Sequence, residues 1–242
     1  MIISMNKKLD LKIKEKANPS KAKDLQRFFK TGKGHYGEGD VFLGIIVPEQ
    51  RKIAVEFKDI SLEEIENLLN SEIHEKRLIA LLILIEQLKK AGKEKDEKLK
   101  EEIFKLYLKK AHENKVNNWD LVDLSAPRIV GNYLLDKKRD ILYELTKGNL
   151  WEKRISVIST FAFIKNSEFN DSLKIAEILL NDKHDLMHKA VGWMLREIGK
   201  KDIRVLEEFL KKHYKNMPRT MLRYAIEKFD EKKRKMYLKR EI

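Results

Sequence analysis

The chain contains no cysteine. Disulfides, zinc–cysteine sites, iron–sulfur clusters and thiol nucleophiles are excluded together. Proline and glycine are scarce, at 4 and 10 of 242 residues, and no stretch rich in Pro, Gly or Ser divides the chain. Long apolar runs are also missing. The longest, Leu78 to Ile85, is eight residues inside a charged segment, far short of the ~20 residues that span a bilayer. The opening Met1-Ile-Ile-Ser-Met-Asn-Lys-Lys has too short an apolar stretch for a secretory signal. A cytoplasmic protein with no membrane partner is the expectation. Motifs of common hydrolases and nucleotide-binding proteins are absent: there is no Gly-x-Ser-x-Gly elbow, no His-Glu-x-x-His, and no Gly-Lys-Ser/Thr ending to a phosphate loop.

What the chain does have is charge. Lys and Arg number 52 against 39 Asp and Glu, a formal net charge of +13. That excess points to an acidic partner, nucleic acid first and an anionic membrane surface second; the plainer alternative is a solvated, lysine-rich surface. Hydrophobic residues make up 42%, so a packed core is within reach and disorder is excluded.

The patterning is helical almost throughout. Asn18-Pro19 reads as an N-cap followed by Pro at the first helical position, and Ser61-Leu-Glu-Glu64 as a capping box. Pro48 opens a further helix. Ile73–Ala91 predicts a helix with Leu78, Leu81, Leu82, Ile85 and Leu88 on one side, and Lys95–Asn114 another with Leu99, Ile103, Leu106 and Tyr107 as its stripe. Further helices are expected near 118–135, 137–147, 150–165, 171–181, 185–199, 202–214, 218–228 and 230–239. No period-two alternation is long enough for a sheet. Amphipathic pairs recur at roughly 35–45 residues, the range of HEAT-type repeats. Such pairs bury their stripes by stacking, so the expected fold is all-α: a curved α-solenoid of HEAT-like helical repeats with a basic concave face. One domain over 1–242 is expected, with an N-terminal helix at 1–17, a repeat core at 18–229 and a basic C-terminal helix at 230–242.

Trp119 and Asp123 are four residues apart in a helical stretch and share a face. An aromatic plane thus sits beside a carboxylate, and a helical stack can bring Arg154 and Trp193 alongside. Trp119 and Trp193 have polar neighbours, unlike a typical core tryptophan, whereas Trp151 reads as core. Gly192 beside Trp193 costs about 1 kcal/mol of helix propensity relative to Ala, which suggests a close approach there. Pro127 interrupts the helix after Asp123 and predicts a kink or a new start. The loop Thr31–Asp40 reads as an ordered connection whose Lys33, His35 and Tyr36 are candidates for backbone contact. His184 and His188 are spaced i,i+4, but without a third ligand they read as a helix N-terminal and a surface histidine, and no metal is expected.

Five blocks taken in order resemble the DNA alkylation repair glycosylases built from HEAT-like repeats. They are Phe29-Lys-Thr-Gly…Tyr-Gly-Glu-Gly-Asp-Val-Phe-Leu-Gly44, Pro48-Glu-Gln-Arg51, Trp119-Asp-Leu-Val-Asp-Leu-Ser125, Trp151-Glu-Lys-Arg154 and Lys189-Ala-Val-Gly-Trp193. The resemblance runs from about Asn18 to Phe229. It implies a glycosylase that removes N3- and N7-alkylated purines from duplex DNA without a tight base-flipping pocket; a binding groove along the solenoid makes a monomer the expectation, with no cofactor and a cytoplasmic, nucleoid-associated location. It further implies that Asp123 is the catalytic carboxylate, Trp119 and Trp193 the aromatic site residues, and Arg154 a phosphate contact. Lys153 stands where arginine is frequent in the family, keeping the charge but not the fork. Charge and position add Lys153, Arg196, Arg219, Arg223 and Lys33 as candidate DNA contacts. Two other readings stay open: a non-catalytic relative that binds branched or damaged DNA, and a solenoid scaffold for protein partners.

Overall fold

A computed structural model describes residues 5–242; Met1–Ser4, on which the signal-peptide reading and the start of the expected N-terminal helix fall, lie outside the described residues. Among the described residues the chain is all-helical, as expected, with a single parallel bridge between Val41 and Ile73 and no strand. It divides into two compact units at Leu121/Val122, within one helix.

The first unit holds α1 (Met5–Glu15), α2 (Pro19–Phe28), α3 (Val47–Glu56), α4 (Leu62–Leu69), α5 (His74–Glu94), α6 (Glu97–His112) and the start of α7 (Trp119–Ala126). Local chemistry sets these boundaries. The Asn18 side chain accepts from the Lys21 amide with Pro19 next in line, and Ser61 and Glu64 close a reciprocal capping box. The apolar run Leu78–Ile85 is buried at every residue, not along one stripe. Helices α3, α4 and α6 all pack on α5, so the helix needs no polar face at that level. Between α2 and α3 the glycine-containing connection is held to α5 from within. The Glu75 carboxylate accepts from the Leu43, Gly44 and Ile45 amides at 2.8–3.2 Å. Gly44 sits at φ +84°, and a Cβ there would lie 2.1 Å from the Asn18 carbonyl oxygen, so the position requires glycine.

The second unit contains the remainder of α7, a π-helical turn (Pro127–Gly131), α8 (Asp140–Leu145), α9 (Leu150–Ser159), α10 (Phe161–Lys165), α11 (Asn170–Ile178), α12 (Asp185–Lys201), α13 (Ile203–His213), α14 (Arg219–Ala225) and α15 (Glu231–Lys239). The segments expected as single helices over 118–135 and 150–165 are each broken. Pro127 has no N–H to continue the α ladder, and the chain answers with a wider turn closed by the Asn132 amide on the Pro127 carbonyl. Helix α12 is the hub of this unit and packs on α9, α13 and α14. It meets α14 closely at Gly192, where a Cβ would lie 2.5 Å from the Met221 carbonyl oxygen and 2.6 Å from the Tyr224 Cβ. The close approach inferred from the sequence is therefore made by α14. Gly192→Ala gains about 1 kcal/mol of helix propensity but must push against backbone, and overpacking typically costs 1–3 kcal/mol. The net cost is up to about 2 kcal/mol, and a fall in melting temperature of up to roughly 8 °C is expected in a thermal unfolding scan; a raised value would contradict this packing.

Candidate functional site

Asp123 lies on the second turn of α7 with its side chain 17% exposed. Arg154 comes from α9, whose start is fixed by a capping box in which Asn149 accepts from the Trp151 and Glu152 amides and Glu152 accepts from the Asn149 amide. The two side chains meet as a fork. Arg154 Nε donates to Asp123 Oδ1 and Nη2 to Oδ2, both at 2.8 Å. Its third arm, Nη1, donates to the Leu186 carbonyl at 2.5 Å. A residue read from the sequence as a phosphate contact is thus 4% exposed and engaged inside the protein. The paired guanidinium and carboxylate form the strong bidentate kind of hydrogen bond, and it holds both carboxylate oxygens in one plane.

Leu186 belongs to the first turn of α12, where the His184 Nδ1 accepts from its amide at 3.1 Å. Burial holds the His184 pKa below its ordinary value, which keeps that nitrogen available as an acceptor. His188 bonds through Nε2 to the Asp182 carbonyl at 2.6 Å. Both histidines thus serve the helix start, and no group of three or more His, Asp or Glu side chains suited to a metal ion occurs among the described residues. Two turns further along α12, Trp193 is half-buried. Its Nε1 donates to Glu197 Oε1 at 3.1 Å, and its ring lies 6.0 Å from that of Phe161. Trp151 is buried in the core, as its sequence context suggested.

The candidate DNA contacts of this unit fall into two groups. Lys153 pairs with Asp182 at 3.0 Å, and Arg196 pairs with Glu197 and Glu227. Burial works against ionisation of Asp182, but the His184 amide and the Lys153 ammonium outweigh it and hold its carboxyl below the ordinary value. Arg219 and Arg223 are exposed, the former donating from Nη1 to the Leu238 carbonyl at 2.9 Å.

In the first unit, Trp119 opens α7 and is half-buried. Its ring stacks on Phe29 (centroids 5.2 Å apart, planes at 18°) and meets the exposed Phe28 edge-on at 6.0 Å. Phe29 in turn stacks on Phe42 at 5.0 Å, and Phe42 on His74 at 4.5 Å. His74, Asp40, Asp120, Arg77 and Asn118 form a buried polar cluster behind these rings. His74 and Arg77 were not apparent from the sequence. Asp40 lies 34 residues from His74 and Asp120 lies 46 away, and locally His74-Glu-Lys-Arg77 reads as an ordinary charged first turn of α5. Lys33 and His35 are exposed on the connection after α2, where the Gly34 amide donates to Glu38 at 2.7 Å.

The sequence profile described as DNA alkylation repair enzyme matches residues 9–229 of the chain. Among solved structures, one described as a predicted DNA alkylation repair enzyme from Enterococcus faecalis is similar with a TM-score of 0.65 at 18% sequence identity, covering 89% of this chain and 98% of that one. At that identity the likeness concerns the fold. Comparison with curated proteins yields no match.

Proposed function

The chain belongs to the DNA alkylation repair enzyme family, and from that membership we propose that it is a monofunctional DNA glycosylase for purines alkylated at N3 or N7. The observation that carries the reading is the Asp123 carboxylate, partly open to solvent and fixed at both oxygens by a buried guanidinium. An N3- or N7-alkylated purine already bears positive charge. The C1′–N bond can break with its electron pair leaving on the base, so no general acid is required. The sugar left behind resembles an oxocarbenium ion, and a preorganised carboxylate stabilises that charge where it develops. Water then adds to C1′ and gives its proton to Asp123.

Arg154 acts in this scheme as the group that orients Asp123. Trp193 presents a π-face to the developing cation, and Trp119, which shares α7 with Asp123, supplies a second. The exposed Lys33, Arg219 and Arg223 are assigned to DNA phosphates. Lys153 and Arg196 reach phosphates only by leaving Asp182 and Glu227. The protein acts as a monomer on duplex DNA, with no cofactor and no tight pocket for an extruded base. If about six phosphates are neutralised, the log–log salt dependence of binding has a slope near −5.

The test is single-turnover release of N7-methylguanine from a defined duplex. Release by the wild type supports the glycosylase; no release with salt-sensitive binding intact would favour a non-catalytic DNA-binding role. In the same assay Trp119→Ala and Trp193→Ala are each expected to slow release roughly 2- to 30-fold, the equivalent of about 0.5–2 kcal/mol per aromatic face, with modest loss of duplex affinity.

A further inference from the structure

The polar cluster behind Trp119 has a feature that packing alone does not require. His74 is 2% exposed and both its ring nitrogens face carboxylates: Nδ1 lies 3.0 Å from Asp40 Oδ2 and Nε2 lies 2.8 Å from Asp120 Oδ2. A neutral imidazole has one N–H and can satisfy only one of these acceptors; the imidazolium satisfies both. The remaining Asp40 oxygen, Oδ1, accepts from Arg77 Nη2 at 2.6 Å, and Asn118 Nδ2 donates to Asp40 Oδ2 at 3.3 Å beside the imidazole. The neighbouring Glu75 is turned away onto the amides of Leu43, Gly44 and Ile45. The charged groups facing the ring are thus Asp40 from the connection and Asp120 from α7, with Arg77 on α5 itself. Burial works against a charged His74, but the two carboxylates outweigh it and raise its pKa to about 9.

We propose that His74 is a positioning residue for Trp119: as a cation clamped between Asp40 and Asp120 it fixes the start of α7 and, through Phe42 and Phe29, the plane of the Trp119 ring. Two routes connect them. One is covalent and short, since Asp120 follows Trp119 in the chain. The other is the stack of near-parallel rings from His74 through Phe42 and Phe29 to Trp119, with planes at 22°, 16° and 18°, in which an imidazolium on the Phe42 face is favoured over a neutral ring. The inference rests on the reading of Trp119 as an aromatic face presented to the alkylated nucleotide. It adds a pH dependence to that reading. The folded-state pKa lies above the ordinary value, so the clamp is fully present below about pH 6.5 and is lost as pH rises through about 9.

The experiment uses the full chain labelled with 5-fluorotryptophan, whose three tryptophans give three fluorine resonances assigned by single Trp→Phe variants. The Trp119 resonance is expected to move with a midpoint near pH 9 while those of Trp151 and Trp193 hold. In Asp120→Asn the midpoint falls by about one pH unit or more, because the carboxylate that favours the cation is gone. In His74→Gln the Trp119 resonance no longer titrates, and N7-methylguanine release slows by no more than the roughly 2- to 30-fold expected of Trp119→Ala, at unchanged duplex affinity, because His74 acts through that ring. A Trp119 resonance that is flat between pH 8 and 10, or that moves only together with the other two, overturns the proposal, as does wild-type release by His74→Gln. If His74→Gln does not fold, the wild-type and Asp120→Asn titrations decide. If the Trp119 shift is seen but the wild type releases no base at any pH, the clamp stands and the glycosylase reading falls.

Discussion

Asp123→Asn releases alkylated base on the order of 10²–10³-fold more slowly than the wild type, or not at all, because the charge that stabilises the sugar cation is removed. Duplex affinity stays equal or rises, since one negative charge facing phosphates is gone. Stability falls at the same time. The introduced carboxamide keeps one acceptor for Arg154 but leaves a guanidinium, 4% exposed, without a counter-charge. Breaking a buried pair on one side costs about 3–5 kcal/mol, equivalent to a fall in melting temperature of roughly 6–20 °C for a chain of this size. The double variant Asp123→Asn/Arg154→Met removes the stranded charge and is expected to recover most of that stability without recovering release. That separates loss of chemistry from loss of structure. Release by Asp123→Asn at the wild-type rate would remove Asp123 from the mechanism, whatever its melting temperature.

Arg154→Ala is the second large effect, and here sequence and structure lead to different outcomes. An arginine that gripped a phosphate would, on removal, weaken binding to every sequence and reduce the salt slope by about one. The observed geometry, with all three arms on Asp123 and the Leu186 carbonyl, predicts otherwise. Release falls on the order of a hundredfold, as expected when a catalytic group loses its orientation. Duplex affinity and salt slope change little. Stability drops by about 3 kcal/mol, for the same reason as in the aspartate variant. Arg154→Lys keeps the charge but has one point of contact where the fork had two, and it restores only part of the rate. Because the pair acts as a unit, Asp123→Asn and Arg154→Ala together should be scarcely slower than Asp123→Asn alone. Additive losses, or a salt slope reduced by about one in Arg154→Ala, would return Arg154 to the phosphate backbone.

The contrast between these two residues shows where local information ends. Asn18-Pro19, Ser61 with Glu64, and the periodic leucines of α5 specify helix starts and types within a few residues of chain. Capping and amphipathic burial act over one or two turns, and so the all-helical fold could be read from the sequence. Trp119 and Trp193 could be singled out for a related reason, as aromatic side chains with polar neighbours, and Asp123 because it shares a helix face with Trp119. Their pairings could not. Arg154 is 31 residues from Asp123, and His74 is 34 and 46 residues from its two carboxylates. Nothing in a window of a few turns says whether an arginine will face a phosphate or a carboxylate, or whether a histidine will be neutral or charged.

Those choices follow from which helices pack together. Gly192 illustrates the point: its helix-propensity cost was visible in the sequence, but that the approaching surface is the Met221–Tyr224 backbone turn of α14 was not. Helix identity is set by interactions between near neighbours in the chain, which sequence displays directly. Charge pairing and burial are set by low-dielectric contacts between distant segments, and these exist only once the helices have been brought together.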